Sequence, residues 1–132
     1  MNNYYKTLFL LTILIVQSCK NASESLENPK IATIEILEKE FDFGQVSMED
    51  SASFTFSIKN ISKIPFKISK VGTSCGCTTT EYTKDSINLN EVATVKLLFK
   101  PNQIGHIEKS IVVEGNTDPP FNVFYIKGDV VE

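Results

Sequence analysis

Residues 53–60 read Ser-Phe-Thr-Phe-Ser-Ile-Lys-Asn, which sets Phe54, Phe56 and Ile58 against Ser53, Thr55, Ser57 and Lys59 with a period of two. A segment with that period lies as a strand with one face in a core and one in water. A helix would need its apolar positions three or four apart. The same alternation returns along the chain. Residues 31–37 are rich in β-branched side chains, and residues 40–46 place Phe41 and Phe43 opposite Asp42. This predicts two short strands, or one strand broken near residues 38–40. In residues 91–100, Ala93, Val95, Leu97 and Phe99 share the inner parity while Thr94 and Lys96 face out. Leu98 breaks that rule and is expected under a loop. Ile107, Lys109, Ile111 and Val113 share one parity, and residues 121–131 form a last strand.

Turn chemistry punctuates these segments. Asn60-Ile-Ser-Lys-Ile-Pro65 supplies a turn, and Pro65 has no N–H to give a ladder, so the next strand starts at or after it. Ile64, Phe66 and Ile68 share a face, yet Val71 has the opposite parity, which predicts a bulge or a change of neighbour near Ser69 and Lys70. Residues 101–105 and 115–120, the latter Gly-Asn-Thr-Asp-Pro-Pro, are further turns. Short strands between regular turns predict an all-β fold, an immunoglobulin-like β-sandwich of seven or eight antiparallel strands over residues 31–132. The Cys, Trp, Cys spacing of antibody domains is absent, so the expectation concerns architecture alone.

The first residues carry a different signal. One lysine, Lys6, precedes the nine-residue apolar run 8–16, about half of the roughly 20 residues that a membrane-crossing helix needs. That length suits the hydrophobic part of a signal peptide. Val16-Gln17-Ser18-Cys19 follows and resembles the lipobox of bacterial lipoproteins, in which the cysteine is acylated and becomes the new N-terminus. Residues 1–18 are therefore expected to be a lipoprotein signal peptide and Cys19 the lipidation site, the alternative being an ordinary secretory peptide with an incidental cysteine. Each buried acyl CH₂ contributes about 0.8 kcal/mol, so several chains on one cysteine hold a soluble domain at a membrane. Residues 19–30 are polar, with Leu26 their one large apolar side chain, and read as a flexible tether spanning roughly 18 Å. Lys20 stands where an aspartate would resemble an inner-membrane retention signal, which leans the expected location toward the outer membrane.

Length and charge narrow the function. At 132 residues there is room for one core and no second domain. The net charge is -3, removal of residues 1–18 makes it one unit more negative, and all 13 basic residues are lysines. Without arginine the chain lacks the fork that pairs bidentately with phosphate or guanine, and no nucleic-acid partner is expected.

Four pieces in order carry a family resemblance: Phe41-Asp-Phe-Gly44, Phe54-Thr-Phe-Ser-Ile-Lys-Asn60, Ser74-Cys-Gly-Cys-Thr78, and Gly105 through Lys109-Ser-Ile-Val-Val113 with Asn116 and Gly128. Together they resemble domain-of-unknown-function family 1573, small bacterial envelope domains. The resemblance implies an immunoglobulin-like fold similar to modules of sperm and ciliary proteins, an envelope setting, and no catalytic activity. The family usually has Pro-Gly in the turn before the strand at residues 92–99, where this chain has Leu89-Asn90. Asparagine tolerates left-handed backbone, so the turn can persist.

Cys75 and Cys77 admit three roles. They can be small inert residues flanking a glycine that the tight backbone requires. They can form a disulfide, which an oxidising compartment favours. They can exchange thiols or hold a soft metal such as Cu(I), although zinc wants four ligands and the one histidine is His106. No base or helix N-terminus lies nearby in sequence to lower a thiol pKa, so structural roles are ranked first, and no metal, cofactor or catalytic residue is assigned. His106 follows Gly105 in an expected turn and reads as solvated. Asp50-Ser51-Ala52 and Asp85-Ser86-Ile87 resemble a three-residue acceptor for O-glycosylation in one group of Gram-negative bacteria, which marks Ser51 and Ser86 as candidate sites.

The expectation for function is a lipid-anchored envelope module that binds or scaffolds a protein partner, with membrane contact through the N-terminal lipid and no catalysis. The alternative is a periplasmic thiol-redox or copper-handling protein acting through Cys75 and Cys77.

Overall fold

The computed structural model describes residues 30–132. The signal peptide, Cys19 and the tether through residue 29 lie outside the described residues. The described chain is all-β, with eight strands in order: β1 (Ile34–Ile36), β2 (Glu40–Ser47), β3 (Ala52–Asn60), β4 (Ile68–Thr73), β5 (Thr78–Tyr82), β6 (Val92–Phe99), β7 (Gly105–Gly115) and β8 (Phe121–Val131). They form two four-stranded sheets, sheet A in the order β1-β3-β6-β5 and sheet B in the order β2-β8-β7-β4. The expected sandwich is there, at the upper of the two strand counts.

Alternation decides which side chains enter the core. Phe54, Phe56 and Ile58 of β3 and Ala93, Val95, Leu97 and Phe99 of β6 are buried from sheet A; Ile107, Ile111, Val113, Phe124, Ile126 and Val130 meet them from sheet B. Burying an aliphatic or phenyl side chain of this kind contributes about 1.5–3 kcal/mol. Ring pairs lock the two layers together, with Phe41 4.5 Å from Phe54, Phe43 5.4 Å from Phe99 and Phe56 4.9 Å from Phe124.

Residues 31–47 make two strands rather than one. β1 pairs antiparallel with β3, after which the chain crosses to sheet B and β2 pairs with β8. That second pairing is parallel, whereas every other ladder is antiparallel as expected. A strand that switches sheets without reversing must run alongside whichever edge it reaches, and parity carries no information on direction. β2 takes one extra residue between Asp42, opposite Lys127, and Gln45, opposite Asp129. Gly44 sits in this bulge at φ 66°, its N–H donating to the Asp42 carboxylate at 2.8 Å. The bulge swings Phe43 over Gly128, where a Cβ would collide with the ring and with the Gly44 carbonyl.

The bulge expected near Ser69 and Lys70 is present, as a register shift between Ile68 and Lys70 against β7. Asn90 takes φ 69° in the turn before β6, as its place in the family pattern implied. Two details differ from expectation. Leu98 is not under a loop: it faces out of sheet A between Ser53 and Thr79 and is 37% exposed. His106 stands on β7 rather than in a turn, although its side chain is exposed as expected.

Candidate functional site

The Cys75–Cys77 segment joins β4, an edge of sheet B, to β5, an edge of sheet A. It therefore ties the two open sides of the sandwich together at one end. A disulfide links Cys75 to Cys77, with their Cα atoms 5.3 Å apart. The backbone around it is pinned at three points: Ser74 N–H donates to Ser110 O at 3.0 Å, Ser110 N–H donates to Ser74 Oγ at 3.1 Å, and Lys100 N–H donates to Cys77 O at 2.9 Å. Thr73 Oγ1 donates to Cys75 O at 2.8 Å. Both cysteines are half-buried, and Cys77 packs against the core while Gly76 is exposed at the tip. Gly76 has no positive φ and open space at its Cβ position, so the turn does not demand glycine there, contrary to expectation.

The neighbours of the disulfide are hydroxyls rather than bases. Thr78 Oγ1 lies 3.8 Å from Cys75 Sγ. His106 is held elsewhere, its Nδ1 3.0 Å from Asp129 Oδ1 on the exposed face of sheet B. On that face the Lys127 ammonium sits 3.0 Å from Glu40 Oε2. The hydrogen bond to Glu40, then its charge, raises the lysine pKa above its ordinary value. Among the described residues no three His, Cys, Asp or Glu side chains come together as a metal site.

Ser51 and Ser86 are both exposed, at opposite ends of the sandwich: Ser51 in the β2–β3 turn and Ser86 in the β5–β6 loop. Both are accessible to solvent. A cleft of about 450 Å³ opens between β1 and the 117–122 region, lined by Ile34, Lys39, Pro119 and Asn122 among others. It is separate from the cysteine turn.

A residue read from sequence as the end of one strand and the start of a turn proves to be a fully satisfied buried polar centre. Asn60 is wholly buried. Its Nδ2 donates to Ile64 O at 2.9 Å and Ile87 O at 2.8 Å, and its Oδ1 accepts from Ser62 N–H and Ser62 Oγ, each at 2.9 Å. Every amide valence is used. Asn116 works similarly near the surface, donating to Lys30 O and Pro65 O and accepting from Lys67 N–H. The signal was present in the sequence, because Asn60 falls on the core parity of Phe54, Phe56 and Ile58.

Two packed four-stranded sheets, mostly antiparallel and with the chain crossing between them from β1 to β2, define an immunoglobulin-like β-sandwich. The chain belongs to the family described as protein of unknown function (DUF1573), whose model matches residues 34–130. No curated protein matches the chain. Among solved structures it is similar to a protein of unknown function from Porphyromonas gingivalis W83, with a TM-score of 0.69 and 16% identity over 82% of this chain. It spans about half of that protein's length, 51%. It is also similar to the seventh PapD-like domain of human CEP192, with a TM-score of 0.65, 13% identity, and coverage of 87% of this chain and 96% of that one. The Vibrio cholerae protease VesB contains a similar region, with a TM-score of 0.60 and 10% identity over 74% of this chain and 31% of the protease. At such identities the likeness extends to the fold alone.

Proposed function

We propose that this chain is a binding or scaffolding module of the cell envelope, anchored by lipid at Cys19, carried on the 19–30 tether and without catalytic activity. The observation that supports it most is the sandwich itself, which leaves strand edges on both sides while its interior is closed by buried aromatic and aliphatic side chains. A free edge presents unpaired N–H and C=O groups in register, which is the chemistry of recognition by strand addition. The apolar run 8–16 followed by Val16-Gln17-Ser18-Cys19 supports the anchor, and Lys20 supports the outer membrane.

Growth with an alkyne-tagged fatty acid tests the anchor: wild type should take up label and Cys19→Ala should not, and labelling of both or neither would refute it. Cross-linking in the native envelope tests the module, with a specific partner lost on denaturation expected. Glycosylation at Ser51 and Ser86 is proposed on their sequence context and exposure. The intact mass of the mature protein decides it, since an unmodified mass ends the idea.

A second reading, thiol exchange or copper binding at Cys75 and Cys77, is favoured by the half-exposed position of the disulfide at the tip of the crossing. Incubation with glutathione, which supplies the two electrons, followed by thiol titration and Cu(I) analysis separates it from the first. No thiols released and no copper held would leave only the binding module.

A further inference from the structure

β1 covers only residues 58–60 of β3, so below that point β3 is itself an edge of sheet A. The bond from Asn60 N–H to Glu91 O fixes the alternation of backbone groups along the strand. Phe54, Phe56, Ile58 and Asn60 turn theirs toward β6, and Ser53 and Thr55 turn theirs outward. Among the described residues, no ladder or turn bond engages Ser53 or Thr55 on that side. The strand is nevertheless anchored, because Phe54 and Phe56 are buried in the core.

The other edges carry guards of the kind that keep strands from pairing: β1, the outermost strand of sheet A, is three residues long with Glu35 at its centre. β2 has its bulge, with Glu40 and Asp42 beside it, and β4 has a bulge at Lys70. β7 beyond Ser110 carries Lys109 on its core-facing parity. β5 includes Glu81, begins at the disulfide turn, and ends where the Lys84 ammonium lies 3.4 Å from the centre of the Tyr82 ring. Residues 52–57, Ala-Ser-Phe-Thr-Phe-Ser, have no charge, proline, glycine or register shift.

The surroundings select the occupant. Residues 35–50 hold Glu35, Glu38, Glu40, Asp42, Glu49 and Asp50 against the single base Lys39, and of these six carboxylates Glu40 is paired with Lys127 of β8. These residues include β1, β2 and the turn leading into β3, so they rim this side of the sandwich. A second copy of this chain would bring the same carboxylates against them, whereas a basic segment would be attracted. Leu37, 64% exposed where β1 leaves sheet A, offers an apolar contact at the upper end of the edge.

We propose that Ser53 and Thr55 of β3 form a docking edge for an extended lysine- or arginine-bearing segment of a partner protein, which adds to sheet A in line with β1. This rests on the binding-module function proposed above and names its surface and partner class.

The test uses the full-length protein in mild detergent at low salt, with the capped peptide Lys-Val-Lys-Val-Thr-Val-Lys as probe and its Glu-for-Lys counterpart as control. At saturating basic peptide, amide exchange at Ser53 and Thr55 should slow at least tenfold. Ser53→Lys, at an exposed position opposite Leu98, should weaken binding at least tenfold with the thermal melt unchanged. Thr55→Lys, whose side chain stands opposite Lys96, should weaken it likewise with a slightly lower melt. Protection at β5 instead, no protection at all, or equal binding of the acidic peptide would overturn the proposal. So would protection of the same amides that rises with protein concentration alone, which would mark a second copy. Native-envelope cross-links mapping to another surface would overturn this edge while leaving the module function standing; absence of any cross-linked partner would remove the module function itself.

Discussion

At one end of the sandwich Asn60 holds the 61–64 turn and Ile87 through a fully buried amide, whereas at the other Cys75 and Cys77 hold the β4–β5 crossing through a half-exposed covalent bond. The amide works only because all of its partners are present, since a buried carbonyl left alone costs more than the bond to it had contributed. The disulfide needs no such surroundings. It is half-exposed and lies between the last ladder pair of β4 and the first of β5. One end is therefore suited to permanence and the other to change, and the following substitutions measure how far that contrast holds.

The largest effect is expected from Asn60→Ala. It takes one of two donors from each of the Ile64 and Ile87 carbonyls, which keep Ser62 Oγ and Phe66 N–H, and leaves the Ser62 N–H without an acceptor. With four hydrogen bonds lost at about 0.5–1.5 kcal/mol each, it should cost about 3 kcal/mol by urea unfolding. A loss below 1 kcal/mol would mean water replaces the amide and the contrast fails. Asn116→Ala removes three bonds at exposed positions, and should cost about 2 kcal/mol in the same measurement.

Joint replacement Cys75→Ser and Cys77→Ser opens a loop of three residues, for which chain entropy gives about 1.5 kcal/mol. The expected outcome is a lower thermal midpoint with unchanged β-sheet circular dichroism. A loss matching that of Asn60→Ala would make the crossing as structural as the amide.

The smallest effect concerns Lys127 and Glu40. The folded-state lysine pKa is raised, so the contribution of the pair is complete below the ordinary lysine pKa and fades only as pH rises through the higher folded value. Stability of Lys127→Met relative to wild type should accordingly be flat from neutral pH up to the ordinary lysine range, and a divergence near neutrality would contradict the pairing. The pair lies at the surface, so salt should weaken whatever it contributes.

Much of this molecule was legible because period-two parity, turn residues and the break at Val71 are local. The core faces of β3, β6 and β7 and the bulge between Ile68 and Lys70 followed from those signals. What escaped was non-local. The parallel run of β2 along β8 depends on which edge the crossing chain meets, and Leu98 takes the outward parity of β6, between Ser53 and Thr79, with no loop packed over it. Asn60 ends β3 as its place in the 53–60 alternation implies, but its burial is masked by its polarity although its parity is that of the core. The cysteines were found at once, but spacing alone left thiols and disulfide equally open.

The parallel pairing of β2 with β8 also sets how the fold answers to mechanical force. A pull on the two ends of the described chain drags these strands past one another along their own length, so the bonds from Glu40 to Asp42 and from Gln45 to Ser47 are strained together in shear instead of being unzipped singly. The Phe43 ring seated on Gly128 acts as a peg against that sliding. A domain pulled from before β2 and from beyond the end of β8 would thus resist extension where its first long strand meets its last.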